Sequence, residues 1–262
     1  MPGSSIIKKR SPEEQELEDK IAELKVLEEQ LTHKELELAT IQGDLISFER
    51  IYLHRVGVFI ADLDELIAQI SELIAHRQPS KKKQAHWART QAKEAREAAG
   101  SVGPELAEPF LPSDELKAVF REVAKRIHPD LANSEEERSH CEELMKEANQ
   151  AYRDEDINRL RSILKQWEIA PERVVELGVG AELVRVIRKI ALVKERLQII
   201  ENEINLLIDS DLFILKLKVE EAKSQGFDLF EEMASEIKNQ IYDIEERLNK
   251  IITNFSRSQE VS

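Results

Sequence analysis

The chain has 262 residues, a formal net charge of −14, 34% charged and only 5% aromatic residues, with eight glycines and eight prolines. Sandwiches and barrels need more aromatic and turn residues than this, so the composition points to helices. The lone cysteine, Cys141, excludes a disulfide framework or a cysteine-rich zinc site, and the acidic balance argues against wholesale binding to a nucleic-acid backbone.

The prolines outline the elements. Pro12 and Pro79 bracket one proline-free stretch, Pro104, Pro109, Pro112 and Pro129 crowd the middle, and none follows Pro171. That spacing predicts two long helical arms around a small central module. Residues 1–12 carry a basic cluster, Lys8, Lys9 and Arg10, with no apolar run before a cleavage site, and read as a disordered start rather than a signal peptide. No stretch approaches the roughly 18 apolar residues that cross a bilayer, so a membrane is not an expected partner, and the cysteine usage suits a reducing, cytoplasmic setting.

Residues 13–78 read as an N-terminal coiled-coil helix. Leu17, Leu24, Leu31, Leu38, Leu45, Tyr52, Phe59, Leu66 and Leu73 recur without a gap in steps of seven. The second seam position starts at Ile21, turns polar at Glu28, Glu35 and Gln42, and becomes apolar at Val56, Leu63 and Ile70. A two-position seam of this length specifies a partner helix, and its first half is weak. Gly57 is the expected place for a bend.

From Arg77 the periodicity lapses, and residues 79–112 read as a linker, first basic and then rich in glycine and proline. Ala92–Ala99 has the composition of a short helix. Lys81, Lys82 and Lys83 with His86, Trp87 and Arg89 suggest a nucleic-acid or acidic-protein patch, but one aromatic is a thin stacking platform, and a solvated face is the preferred reading.

Residues 113–169 form the central module. Ser113 suits the N-cap of a helix with Asp114 and Glu115 in its first turn, and Leu116, Val119, Phe120, Val123, Ala124 and Ile127 give it an apolar stripe. Lys117, Arg121, Lys125 and Arg126 oppose only Glu122, so this helix is a basic exception in an acidic chain. Pro129 must end it. Ser134 and Glu137 then have the spacing of a capping box for a second, acidic helix whose inward stripe is Cys141, Leu144, Met145, Ala148, Ala151 and Tyr152. The pair suits an antiparallel hairpin with His128-Pro129-Asp130 at its tip, and Cys141 is expected as a buried thiol.

The run Glu115 to Asp130, followed by Lys146-Glu147-Ala148-Asn149-Gln150-Ala151-Tyr152, resembles helices II and III of the J domain of DnaJ-type co-chaperones. The resemblance covers under a fifth of the chain. It implies that His128, Pro129 and Asp130 contact a DnaK-type ATP-dependent chaperone, with Lys117, Arg121, Lys125 and Arg126 engaging an acidic surface of that partner. On this reading the chain is not an enzyme and needs no cofactor or metal; it regulates the ATPase of its partner. No clear match to the family's first helix precedes Ser113. The segment 104–112, the stretch after Tyr152 (Ile157, Leu160, Ile163, Leu164, Trp167) or an arm must cover the hairpin instead. Trp167 is expected to pack the module against an arm.

Residues 170–180, with Gly178 and Gly180, read as a second linker, residues 181–256 as a C-terminal coiled-coil hairpin and 257–262 as a disordered tail. Leu183, Ile190, Leu197 and Ile204 with Val186, Val193, Ile200 and Leu207 form one stripe, which loses phase at Asp209–Asp211. Phe230, Ala234, Ile237, Ile241, Ile244, Leu248, Ile251 and Phe255 form another, after a turn at Ser224–Phe227. Heptads do not say whether a partner helix lies in the same chain. Packing of the first arm on the hairpin is preferred here, with homodimerisation as the alternative.

The expected architecture is therefore all-α, with long coiled-coil helices flanking a small J-domain-like hairpin. The expected function is recruitment and stimulation of a DnaK-type ATPase, the arms serving oligomerisation or attachment of a client that the sequence does not name. The alternatives are a structural coiled-coil scaffold with a vestigial J-like hairpin, and a nucleic-acid-associated adaptor, which the charge disfavours.

Overall fold

The computed structural model describes residues 11–100, 108–169 and 178–259. About 90% of the structure is helical and the described residues contain no strand, so the fold is all-α. No described helix is long and apolar enough to cross a membrane.

Helix α1 (Pro12–Tyr52) runs through a single π turn at Leu53–Gly57 into α2 (Val58–Arg77), giving one helix of 66 residues. Its start is a reciprocal cap: the Glu14 N–H donates to Ser11 Oγ (3.2 Å) and the Ser11 N–H donates to the Glu14 carboxylate (2.8 Å). Pro12 is thus helical, and residues 1–10 lie outside the described residues. The expected bend at Gly57 is the π turn, an extra residue absorbed without breaking the helix. A Cβ at Gly57 would come within 3.1 Å of Leu53 Cδ2, a contact that a small shift of the leucine side chain would have to relieve.

The linker expected over 79–112 is corrected. Lys82–Gly100 is helix α3, packed on α2. Its buried face is made of alanines, Ala85, Ala88, Ala92 and Ala99, which carry a helical period without the large apolar residues that advertise one. Small side chains let the two helices close until Ala88 and Ala92 meet Ala68. Arg89 donates to Glu65 (2.7 Å) and Glu72 (2.8 Å) on α2 and Arg96 to Asp62 (2.8 Å), so Arg89 is engaged in holding the helix pair. Trp87 is exposed.

The module comprises α4 (Asp114–Ile127), a 3-10 turn at Pro129–Leu131, α5 (Glu135–Arg153) and α6 (Ile157–Ile169). The single hairpin expected over 181–256 is also corrected. It is three helices, α7 (Val179–Ile208), α8 (Asp211–Ser224) and α9 (Leu229–Gln259). Asp209 closes α7, and the Ser210 hydroxyl accepts from Phe213 N–H to restart the chain as α8 at the point where the heptads slip. The turn after Ser224 holds Gly226 at φ +79°, a conformation glycine tolerates best. Helix α9 runs through Gln259, so residues 257–259 are helical rather than tail. Residues 170–177 and 260–262 lie outside the described residues.

The chain divides into two compact units. The first joins the part up to Gly43 with Leu111–Asp209, and the second joins Asp44–Phe110 with the part from Ser210 onward. In the first, Leu24, Leu31 and Leu38 of α1 pack on Val186, Ile190, Val193, Ile200 and Ile204 of α7, so this seam is satisfied within the chain. In the second, Phe48 and Val56 meet Phe230 of α9, flanked by Leu212, Leu215 and Val219 of α8. Phe48 and Phe230 are tilted with centroids 5.6 Å apart, and the Arg55 guanidinium lies 5.2 Å over the Phe230 ring while pairing with Asp228 at 2.7 Å.

Between α5 and α6 the chain turns sharply at Glu155, which takes a left-handed φ of +54°. The Asp156 N–H donates to the Ala151 carbonyl (2.8 Å), closing α5 in the manner usually completed by glycine. Relief of that left-handed strain outweighs loss of the exposed 3.3 Å bond from Leu111 N–H to the Glu155 carboxylate. Glu155→Gly is therefore expected to stabilise the chain by about 0.5–1 kcal/mol, read as a raised urea midpoint at unchanged slope.

Candidate functional site

The His128-Pro129-Asp130 loop is built by its two flanking caps. Ser113 Oγ accepts from Leu116 N–H (3.1 Å) and starts α4 where the sequence predicts. Pro129 disfavours helical geometry in the residue before it, and His128 accordingly stands at φ −66°, ψ 127°, closing the helix. Ser134 Oγ then accepts from Glu137 N–H (3.2 Å), while the Glu137 carboxylate takes the N–H of Asn133 (2.6 Å). The reciprocal bond thus reaches one residue further back than a simple capping box requires.

The module's core lies between its own helices. Phe120, midway along α4, meets Tyr152 in the last turn of α5 with centroids 4.6 Å apart, so the two helices run antiparallel. Leu116, Val123, Ala124, Ile127, Cys141, Leu144, Met145, Ala148 and Ala151 are buried with them, whereas Val119, expected in this core, is only half-buried. Burial, helped by Glu137, pushes the Cys141 thiol up to about 11, the behaviour of a core group rather than a nucleophile. Helix α6, one of the expected covers, closes the apolar face of the α4–α5 hairpin. Leu160 and Ile163 are fully buried, and α6 packs on both α4 and α5. Arg161 pairs with Glu115 and Arg159 with Glu147, tying α6 to each helix. Trp167, expected to pack against an arm, stacks on His140 of α5, with centroids 6.4 Å apart.

Of the cationic residues on α4, Lys125 and Arg126 are exposed and Lys117 and Arg121 half-exposed. Lys117 stands 3.7 Å from Asp114, and Arg126 donates to Glu122 at 2.6 Å, both within the helix. Lys125 and Arg126 thus stand at the surface of α4, with Lys117 and Arg121 partly exposed beside them.

The loop tip is placed differently. His128 is only 4% exposed. Its Nδ1 accepts from the Asp130 N–H (3.2 Å), which assigns the ring hydrogen to Nε2, and Nε2 donates to Glu35 on α1 (3.1 Å). Glu35 is itself buried and also accepts from Arg196 Nε of α7 (2.9 Å), while Arg196 reaches Glu203 at 3.3 Å. Burial pushes the Glu35 carboxyl up, but the bonds from His128 and Arg196 outweigh it and hold it below its ordinary value. Further along, the Lys189 ammonium donates to the Leu131 carbonyl (2.7 Å) and to Asn133 Oδ1 (2.8 Å), Arg185 also binds Asn133, and the Leu131 side chain rests on the α1–α7 core. Asp130, largely covered, lies 3.6 Å from Arg138 of α5.

Glu35, Arg185, Lys189 and Arg196 thus hold the loop from outside, with Asn133 as its anchor, and sequence reasoning missed them. The one available signal was Glu35 itself, which with Glu28 and Gln42 places polar groups at a seam position that coiled coils fill with apolar side chains. Compared with protein-family models, curated proteins and solved structures, the chain matches none.

Proposed function

We propose that this chain is a J-domain co-chaperone that recruits a DnaK-type ATPase through α4 and the His128-Pro129-Asp130 loop and stimulates its ATP hydrolysis. The observation that carries the reading is a basic amphipathic helix stopped by Pro129 directly after His128, followed by an acidic antiparallel partner, in a chain that is otherwise strongly acidic. An outward row of Lys117, Arg121, Lys125 and Arg126 steers encounter with an acidic surface and sets its salt dependence. Loop contacts made better to one conformation of the partner shift it toward hydrolysis, each tenfold acceleration requiring about 1.4 kcal/mol of differential stabilisation. The co-chaperone performs no bond chemistry itself, and works in the cytoplasm, where Cys141 stays reduced. The arms serve oligomerisation or client attachment.

Steady-state ATP hydrolysis by a DnaK-type chaperone, titrated with the full chain, tests this. The chain is expected to stimulate hydrolysis in a salt-sensitive way, His128→Gln to abolish the effect, and Arg121→Glu to raise the concentration needed by roughly tenfold. Absence of stimulation at every concentration overturns the reading.

A second reading draws on the burial of His128. A scaffold in which the J-like hairpin only buttresses the α1–α7 seam would use the Glu35 bond as a permanent structural tie. It predicts that His128→Gln changes stability and leaves the chaperone's ATPase untouched.

A further inference from the structure

A side chain that is 4% exposed cannot touch another protein, yet His128 is the residue on which the co-chaperone reading depends. We infer that the α1–α7 seam is a latch: Glu35 and Lys189 hold the His128–Asn133 loop closed, and a DnaK-type partner gains the loop only when it leaves the seam. The inference rests on the co-chaperone reading and adds to it a built-in restraint.

The chemistry of the contact suits a latch better than a permanent joint. Most of what holds the loop is polar: Nε2 of His128 on Glu35, Lys189 on Leu131 O and Asn133, and Arg185 on Asn133. Opening returns each of these groups to water, so the bonds lost are replaced and the net cost is modest. Only Leu131 contributes apolar contact to the seam from the loop, and it is only partly buried there. The module's own core is independent of that contact, because Phe120, Tyr152, Leu160 and Ile163 are covered by α4, α5 and α6 together, with a Thr40–Tyr152 hydroxyl bond of 2.9 Å as a further tie to α1. The hairpin can therefore keep its shape while the loop moves.

The position of the polar seam residues fits the same account. At an inner heptad position an acid weakens helix pairing. Here Glu35 is held by one cation from the paired helix, Arg196, and one donor from the loop, His128, so the seam loses pairing strength where it gains a docking point. Lys189, half-buried on α7, spends its ammonium on the loop backbone rather than on an exposed acid. Burial, with help from Arg185, lowers its pKa against the opposing pull of the Glu28 and Glu137 carboxylates.

A latch multiplies the apparent affinity for the partner by the fraction of chain that is open, without changing the effect at saturation. The double variant Arg185→Ala/Lys189→Ala removes the far end of the clamp while leaving His128, Pro129, Asp130 and the α4 ridge intact. In an ATPase titration with a DnaK-type chaperone, this full-length variant is expected to reach half-maximal stimulation at about a tenfold lower concentration than the native chain, with the same plateau. Hydrogen exchange on the chaperone-free protein gives a second reading: the amides of Asp130 and Leu131 should exchange about tenfold faster in the variant, while those within α4 and α5 keep their protection and the helical circular dichroism is unchanged. Coincident titration curves overturn the latch and leave the co-chaperone reading standing. No stimulation from native chain or variant overturns the co-chaperone reading. Unaltered loop exchange overturns the clamp itself, whatever the chaperone does.

Discussion

Phe120→Ala is expected to cost about 3–5 kcal/mol of folding stability, the largest loss for any single substitution in the module. Phe120 is fully buried, its ring lies 4.6 Å from that of Tyr152, and the ring pair stands where α4, α5 and α6 converge. Truncation removes both the transferred apolar surface and the ring contact, and neighbours pinned on three helices cannot collapse into the space. Val119→Ala, one residue earlier, supplies the control. Val119 is half-buried, so the same chemistry there is expected to cost under about 1 kcal/mol. Urea unfolding followed by circular dichroism separates the two, and similar losses at both positions would mean that Val119 belongs to the core as the sequence suggested.

The contrast between these neighbours shows what periodicity resolves. The stripe on α4 identified the helix, its N-cap at Ser113, its end before Pro129 and nearly all of its inward face. It could not say that the third helix of the module follows the hairpin instead of preceding it. That depended on Leu160 and Ile163 reaching a surface whose openness is visible only in three dimensions. Helix α3 was legible only in its second half, as the short helix over Ala92–Ala99, for the opposite reason. Its packing face is alanine, and alanine scores as weakly apolar while allowing the closest helix approach. The α1–α7 pairing was legible as two heptad stripes but not as a pair, because a heptad states what a partner must offer and not where in the chain the partner lies. The candidate site divides along the same line. His128, Pro129, Asp130 and the α4 cations follow from local sequence. Glu35, 93 positions from His128, and Arg196, 161 positions from Glu35, do not. Glu35 showed only as a flaw in the seam, and what that flaw accommodates came from the fold.

Glu35→Ala is expected to lower stability by about 2–3 kcal/mol, more than a surface acid and less than a core aromatic. The substitution removes the acceptor shared by His128 Nε2 (3.1 Å) and Arg196 Nε (2.9 Å), leaving two buried or half-buried donors facing a methyl group. The loss stops short of the ~3–5 kcal/mol typical of a broken buried pair because Arg196 keeps Glu203 at 3.3 Å and the loop can lift to hydrate His128. Glu35→Gln retains one amide oxygen for one of the two donors and should lose about half as much. The pH dependence separates charge from shape. Since the Glu35 carboxyl is held below its ordinary 4.5 in the folded chain, its contribution is fully present above that value and is lost as pH falls through the lowered folded pKa. Native and Glu35→Gln chains should therefore differ most in urea midpoint near pH 7 and converge as the solution is acidified below about pH 4. A difference that stays constant down to that pH would mean that the Glu35 charge adds nothing to its hold on His128 and Arg196.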